Sequence, residues 1–371
     1  MRKGLAAAGV VALIATGSAA CGADTPTTPQ GKVTNAFEKL SNQKSLTLEL
    51  AFDGSAEQIY SAMKDEDDFT KDDAKVLSDL RLSLAVSSGK SFNLLKGTEK
   101  GSSGYFKLAT DESRDKGLFE VKVVDEKVYL RVDIKGLENL SPSAANSSGV
   151  KEFNEFLDGA DDLPSSLASV KAALKGEWIS IDPKAFAEFA KSMSKDMGDG
   201  ADSPLAGLPD TKALDAKSQK KAVAALRAAF AHNATFADLG KRDGADHVKV
   251  TVPARQFAKE FVNGLGSLTD QIHDFKLSDV DKVPNKSFSV DVAIKNGIVT
   301  GLTFDIAQLD TEATGKLPLT LSLDNNVAPI AAPEGAKLLN PQDLLGLAMS
   351  GFSSSEDSDS GSGSDSDSIF G

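Results

Sequence analysis

The sequence predicts an α+β fold in which one large antiparallel sheet carries helices on one of its faces. Apolar and polar residues alternate along several segments, for example from Leu46 to Phe52, and this period of two is typical of strands with one buried and one solvated face. Short turns such as Asn296–Gly297 join neighbouring segments into hairpins, which indicates antiparallel pairing. Helical segments with phenylalanine along one face stand between the strands.

The alternation assigns the strands in order along the chain. One hairpin joins residues 119–123 to 128–134, and another joins residues 288–294 to 299–306 around a type I′ turn. The other strands are predicted at residues 46–52, 80–86, 248–252 and 317–323, with excursions at 55–78, 138–174 and 195–214 and loops at 65–68 and 141–149.

Three helices are predicted from the spacing of their apolar residues, at Pro183–Met197, Asp215–His232 and Arg255–Leu268. The first and third each follow a strand and a proline and carry two phenylalanines on one face. This recurrence fits two related halves of the domain. It fits equally well with the general frequency of proline at helix starts.

The first 20 residues have the layout of a secretory signal peptide. Arg2 and Lys3 precede an uncharged apolar stretch, which ends in the small residues Ser18-Ala19-Ala20. Cys21 follows directly and is the only cysteine in the chain. The segment resembles a bacterial lipobox, with Ser18 where leucine is usual, and this implies a mature protein that begins at a lipidated Cys21. An ordinary secretory cleavage site is the alternative.

These features divide the chain into four parts. Residues 1–20 are the predicted signal peptide, and residues 21–31 are a lipidated tether that is rich in threonine and proline. Residues 32–350 form the folded domain. Residues 351–371 are a disordered acidic tail of serine, aspartate and glycine, whose spacing does not match a calcium-binding EF-hand loop.

Composition excludes several classes of function. The net charge of −13 and the lack of a basic patch exclude nucleic-acid binding. The three histidines, His232, His247 and His273, are widely spaced and suggest no metal site. No nucleophile elbow or dinucleotide fingerprint is present. We therefore expect neither catalysis nor a cofactor.

Two segments connect the sequence to a known family. Residues 127–133 (KVYLRVD) and 176–183 (GEWISIDP), together with the lipoprotein signal, resemble actinobacterial envelope lipoproteins of the LolA and LppX/LprG group. The resemblance extends over roughly residues 33–340. It implies a curved, half-open antiparallel sheet, or half-barrel, whose concave face is covered by helices. It also implies a lipid-binding cavity and a position outside the cytoplasm, anchored to the outer face of the cell membrane.

The leading hypothesis is therefore a membrane-anchored lipoprotein that binds or carries an amphipathic lipid in an apolar cavity. The alternative is a surface-displayed accessory protein with a filled core that binds a protein partner. A third hypothesis gives the acidic tail a role in sensing or adhesion. The candidate cavity residues are all apolar and come from strand and helix patterns: Leu48, Leu50, Leu82, Leu84, Val128, Leu130, Phe257 and Phe261.

Overall fold

The computed structural model describes residues 28–64, 69–94, 101–140, 154, 157–197, 216–266, 280–281, 283–309 and 315–343. The strands are β1 (Ser45–Phe52), β2 (Leu80–Ser87), β3 (Ser103–Thr110), β4 (Phe119–Val124), β5 (Lys127–Val132), β6 (Ile179–Ile181), β7 (Thr235–Arg242), β8 (Ala245–Pro253), β9 (Ser287–Lys295), β10 (Ile298–Asp305), β11 (Pro318–Asp324) and β12 (Lys337–Leu339). The helices are α1 (Pro29–Ser41), α2 (Ala56–Met63), α3 (Lys71–Asp79), α4 (Ile134–Glu138), α5 (Ala168–Leu174), α6 (Pro183–Met197), α7 (Ala216–Asn233) and α8 (Ala254–Leu265).

The twelve strands form one sheet in the order β12-β6-β5-β4-β3-β2-β1-β11-β10-β9-β8-β7. Neighbouring strands pair antiparallel throughout, except that β12 lies parallel to β6 at one edge. The predicted α+β class with a large antiparallel sheet is confirmed. The parallel pair at the edge is the one departure from purely antiparallel pairing among the described strands.

The predicted hairpin turns form because their residues tolerate a left-handed backbone. Asp125 and Glu126 connect β4 to β5 with φ of 52° and 63°, and Asn296 and Gly297 connect β9 to β10 with φ of 55° and 73°. Positive φ at both central positions is the requirement of a type I′ turn, which matches the twist of the flanking strands.

One face of the sheet is apolar from β6 to β8. Leu48 on β1 pairs with Leu323 on β11 and with Leu84 on β2, and the same register places apolar residues opposite one another in the outer strands. Because side chains alternate between faces, the residues between them point to the other side, where polar residues predominate. The helices that contact the sheet through the core pack on the apolar face, which confirms the prediction of helices on one face.

A large core cluster joins α1 to one half of this face. Val33, Ala36 and Leu40 recur at helical spacing and are buried against the strands. Thr28 caps α1 by accepting a hydrogen bond from the Gly31 amide at 3.1 Å. The buried members of the large core cluster are Val33, Ala36, Leu40, Leu46, Leu48, Val248, Val250, Val252, Val292, Ile294, Val299, Leu302, Leu321 and Leu323.

A small core cluster lies at the opposite edge of the sheet. It joins α5 to β6 and β12 and consists of buried Leu167, Val170, Ala172, Ile179 and Leu339. Leu130 on β5 packs against it. The sheet is therefore supported by two separate apolar clusters on the same face.

Several predicted boundaries differ from the observed ones. Helix α1 begins at Pro29, inside the segment predicted as a tether (21–31), because the Thr28 cap and the proline at the first position start a helix there. The excursion at 55–78 contains α2 and α3, each of which begins with a capping box. The predicted loops at 65–68 and 141–149, the signal peptide, Cys21 and the acidic tail lie outside the described residues.

Candidate functional site

The strands in the middle of one half of the sheet carry apolar side chains that belong to neither core cluster. These side chains, which we call the central apolar surface, are Phe106, Leu108, Phe119, Val121 and Val123 on β3 and β4. They are half-buried, except that Val123 is 42% exposed. A single exposed apolar side chain is common on protein surfaces, but a contiguous group of them often marks a binding site.

The central apolar surface is continuous with both clusters. One row of paired residues runs from Leu84 through Phe106 and Val121 to Leu130. Since Leu84 packs on the large core cluster and Leu130 on the small one, the surface fills the interval between them. Four strands, β2 to β5, span this interval, which corresponds to about 14 Å across the sheet.

A parallel row lies next to the first and extends the surface along the strands. Leu82 on β2 pairs with Leu108, which pairs with Phe119, and Phe119 pairs with Val132 on β5. The Phe106 and Phe119 rings meet edge to face with centroids 6.0 Å apart. This aromatic contact fixes the shape of the surface at its centre.

Gly104 on β3 marks open space above this face. It lies two residues before Phe106, so a side chain placed there would point to the apolar side. Among the described residues, no heavy atom lies within 4 Å of the position that its Cβ would occupy. Within the part of the chain that the structure describes, no neighbouring group crowds the face at this point.

The structure distributes the predicted cavity residues of β1, β2 and β5 over different surroundings. Leu48 is buried in the large core cluster, with 5% of its surface exposed, and half-buried Leu50 and Leu84 pack against that cluster. Leu82 is half-buried and belongs to neither cluster. The two β5 residues, Val128 and Leu130, are half-buried on the same face, and Leu130 contacts the small core cluster.

The two predicted helical residues, Phe257 and Phe261, lie elsewhere. Phe257 on α8 contacts Phe230 on α7 with ring centroids 4.7 Å apart, and it reaches Phe288 on β9 at 6.5 Å. Phe261 stacks on Phe257 and packs beside Leu265. Because β9 is separated from β3 by four strands of the sheet, these rings do not join the central apolar surface.

The most central residues, Phe106 and Leu108, were not among the predicted site residues, because β3 was not predicted as a strand. The signal was present, since Tyr105 and Lys107 alternate with them. Phe119, Val121 and Val123 were predicted to form a strand and were not assigned to the site. Their incomplete burial is a tertiary property that the alternation does not contain.

The site offers apolar contact and no reactive group. Among the described residues, no group of three or more histidine, cysteine, aspartate or glutamate side chains is placed to hold a metal ion. His247 forms a hydrogen bond at 2.9 Å with Asp291 on the polar face, and His232 pairs with Glu260. His273 lies outside the described residues. The described side chains of the central apolar surface are all apolar and can contact an apolar group.

A carboxylate links α7 to α8 beside their apolar contacts. Glu260 on α8 forms hydrogen bonds with Nδ1 of His232 and with Nδ2 of Asn233, the latter at 2.6 Å. The hydrogen bond with His232 is the main cause of a lowered pKa for Glu260, and the bond from Asn233 adds to it. Both partners lie at the end of α7, so this carboxylate ties the two helices together.

A pH dependence follows from this lowered pKa. The stabilisation is complete above the ordinary carboxyl pKa of 4.5 and is lost as pH falls through the lower folded-state value. We expect the urea midpoint of wild type to exceed that of Glu260→Gln near pH 6, and the difference to shrink below pH 4.5. A difference that stays constant between pH 6 and pH 3 would contradict this role of the carboxylate.

Comparisons with known proteins add little to this description. No protein-family model matches the sequence, and no curated protein sequence matches it. Among solved structures, the chain is similar to the crystal structure of the Mycobacterium tuberculosis lipoprotein LppX, with a TM-score of 0.29 and 7% identity. The alignment covers 81% of this chain and 96% of that chain. A likeness this distant carries no argument, so the predicted family stays a prediction.

Proposed function

We propose that this protein is an extracytoplasmic lipoprotein that binds the acyl part of an amphipathic lipid on the central apolar surface. The observation that carries the proposal is the contiguous row of half-buried apolar side chains between two fully buried clusters. Open space over Gly104 adds support, because an acyl chain needs room beside the strands. Among the described residues, no helix is long and apolar enough to cross a membrane.

The driving force for such binding is removal of apolar surface from water, at about 25 cal/mol per Å². The lipid headgroup stays outside the apolar row, since an unpaired polar group buried there would cost about 2–7 kcal/mol. The protein makes and breaks no bond in this proposal. The apolar side chains only contact the acyl chain, and the register of the strands sets the distances between these contacts.

A bulky side chain at Gly104 tests the proposal, because it would fill the space in which the acyl chain is proposed to lie. The variant Gly104→Phe adds a ring on the apolar side of β3, and Ser103→Phe adds the same ring to the other side of the same strand. We expect Gly104→Phe to lower the affinity of the delipidated full chain for cis-parinaric acid, a fluorescent fatty acid, by about tenfold, equivalent to about 1.4 kcal/mol. Ser103→Phe should bind like wild type.

Two outcomes would contradict the proposal. One is the absence of saturable uptake by wild type, which would favour the alternative of a filled core and a protein partner. The other is equal uptake by the two phenylalanine variants, which would place the ligand away from β3. Native mass spectrometry of wild type from a lipid-producing host adds an independent result, since an extractable bound mass identifies the lipid class.

The membrane anchor has its own test. If Cys21 carries a diacylglycerol, Cys21→Ser removes the attachment and the protein moves from the membrane fraction to the soluble fraction. Metabolic labelling with a radioactive fatty acid should mark wild type and not the variant. Equal fractionation of both, with no label, would instead indicate an ordinary secretory cleavage after Ala20.

A further inference from the structure

The polar face of the sheet lies opposite to the proposed lipid surface and carries a group of interacting side chains, which we call the polar-face cluster. Tyr105 on β3 pairs with Lys122 on β4, and Glu120 on β4 pairs with Arg131 on β5. These residues alternate with the apolar ones and therefore share the polar face. Trp178, directly before β6, joins them, and it is the only tryptophan in the chain.

Glu120 is the buried carboxylate of the polar-face cluster. Its side chain is 4% exposed, it accepts a hydrogen bond from the Tyr105 hydroxyl, and its Oε2 lies 2.5 Å from an Arg131 guanidinium nitrogen. The loop before β4 covers the carboxylate, since a Cβ on Gly117 would come within 2.9 Å of the Glu120 Cγ. Glu120 thus neutralises Arg131, whose guanidinium lies 5.4 Å from the Trp178 ring centroid.

Lys122 is a second cation in this group. Its ammonium nitrogen lies between two aromatic rings, 5.2 Å from the Tyr105 centroid and 5.1 Å from the Trp178 centroid. These residues therefore bring two cations to one carboxylate and together carry one positive charge, in a protein whose net charge is −13. Aromatic faces hold the ammonium by cation–π attraction, which does not cancel its charge.

We propose that this polar-face cluster, Tyr105, Lys122, Arg131 and Trp178 over Glu120, binds a sugar that carries an anionic group. Lys122 and Arg131 both lie over the half-buried indole, and the C–H face of a sugar ring packs on the part of the ring that stays exposed. The Lys122 ammonium beside the ring supplies a charge-assisted hydrogen bond to a phosphate or carboxylate. The proposal goes beyond the proposed lipid binding and does not depend on it.

The fluorescence of Trp178 reports directly on this cluster, because no other tryptophan contributes. The full chain is titrated with glucose 6-phosphate, glucuronate, glucose and inorganic phosphate. We expect a saturable change with both anionic sugars, weakened by added salt, and a much weaker response to glucose or inorganic phosphate alone. The relative affinities for glucose 6-phosphate and glucuronate show whether the site prefers a phosphate or a carboxylate.

A matched pair of lysine variants locates the site. Lys122→Gln removes the ammonium between the rings, and Lys127→Gln makes the same change at an exposed lysine on the same hairpin and the same face. We expect Lys122→Gln to weaken binding by about tenfold or more and Lys127→Gln to have little effect. Equal thermal unfolding midpoints for the two variants verify that the fold is retained.

Three results would overturn the proposal. These are the absence of a saturable change with either anionic sugar, equal binding by the two lysine variants, and equal affinity for glucose 6-phosphate and inorganic phosphate. The last would remove any role for the indole. The variant Gly104→Phe, which obstructs only the apolar side, should titrate like wild type, so failure of the lipid proposal leaves this test unaffected.

Discussion

Replacing Glu120 with alanine is expected to lower the free energy of unfolding by about 3 kcal/mol. The carboxylate is almost completely buried, and its removal leaves the Arg131 guanidinium without its ion-pair partner and the Tyr105 hydroxyl without its acceptor. Arg131 is itself only 19% exposed, so it regains little hydration while the surrounding loop stays in place. Chemical denaturation of wild type and variant, evaluated with a common slope, measures the loss.

Tyr105 strengthens this expectation. Burial is the main cause of a raised pKa for its phenol, and the hydrogen bond to Glu120 raises the pKa further. The hydroxyl therefore stays protonated and donates to Glu120 throughout the neutral range. Because the folded-state pKa lies above the unfolded value near 10, this contribution is present at neutral pH and is lost only in strongly alkaline solution.

Two further variants make the result decisive. Asp158→Ala removes one partner of the ion pair with Lys135, in which the side chains are 73% and 68% exposed, and it should cost at most about 1 kcal/mol. Glu120→Gln keeps an acceptor for Tyr105 and should fall between wild type and Glu120→Ala. A loss for Glu120→Ala no larger than that for Asp158→Ala would show that the buried pair contributes no more than a surface pair.

Much of the sheet was predictable because strand register and turn chemistry are both local. The alternation from Leu46 to Phe52 identified β1, and the Asn296–Gly297 dipeptide identified the turn between β9 and β10. Strand β7 gave no such signal. Nearly all of its residues are exposed at the sheet edge, so neither of its faces selects apolar side chains.

The pairing of β12 with β6 could not be predicted for a different reason. Each strand has only three residues, and the two are separated by more than 150 positions in the chain. Only the tertiary fold brings Leu339 beside Ile181. The strand that becomes β6 is predicted from the segment before Pro183, whereas β12 is too short to show a period of two, and the sequence near it indicates neither the strand nor its parallel direction.

The sequence predicted that a candidate site would be apolar, but it did not predict which strands would form it. The alternation predicts a solvated polar face, yet Glu120 on that face is buried by the loop before β4 and by its partners Tyr105 and Arg131. On the apolar face, Leu48 and Leu82 occupy equivalent places in their alternating patterns and have different surroundings. A leucine in a core and a leucine on a binding surface look alike in the sequence. The alternation shows which face of the sheet a side chain lies on, but it does not show whether other residues pack over that face.

The different surroundings of Leu48 and Leu82 predict different losses of stability when each is replaced by alanine. Leu48→Ala is expected to lower the free energy of unfolding by about 2–5 kcal/mol, because Leu48 is 5% exposed within the large core cluster and its truncation leaves a cavity. Leu82→Ala makes the same chemical change on the neighbouring strand and the same face. Leu82 is half-buried and outside both clusters, so we expect a loss of about 1 kcal/mol or less.

Ligand uptake should show the reverse order. Leu82 pairs with Leu108 of the central apolar surface, so its truncation removes part of the contact area, whereas folded Leu48→Ala keeps that surface intact. Urea denaturation and cis-parinaric acid titration of both variants measure the two effects in the same samples. Equal destabilisation by the two substitutions would mean that Leu82 lies under a packed layer, and the apolar face would then be core throughout. A large loss of stability at Leu48 with a selective loss of uptake at Leu82 would separate the part of the sheet that holds the fold together from the part that meets the lipid.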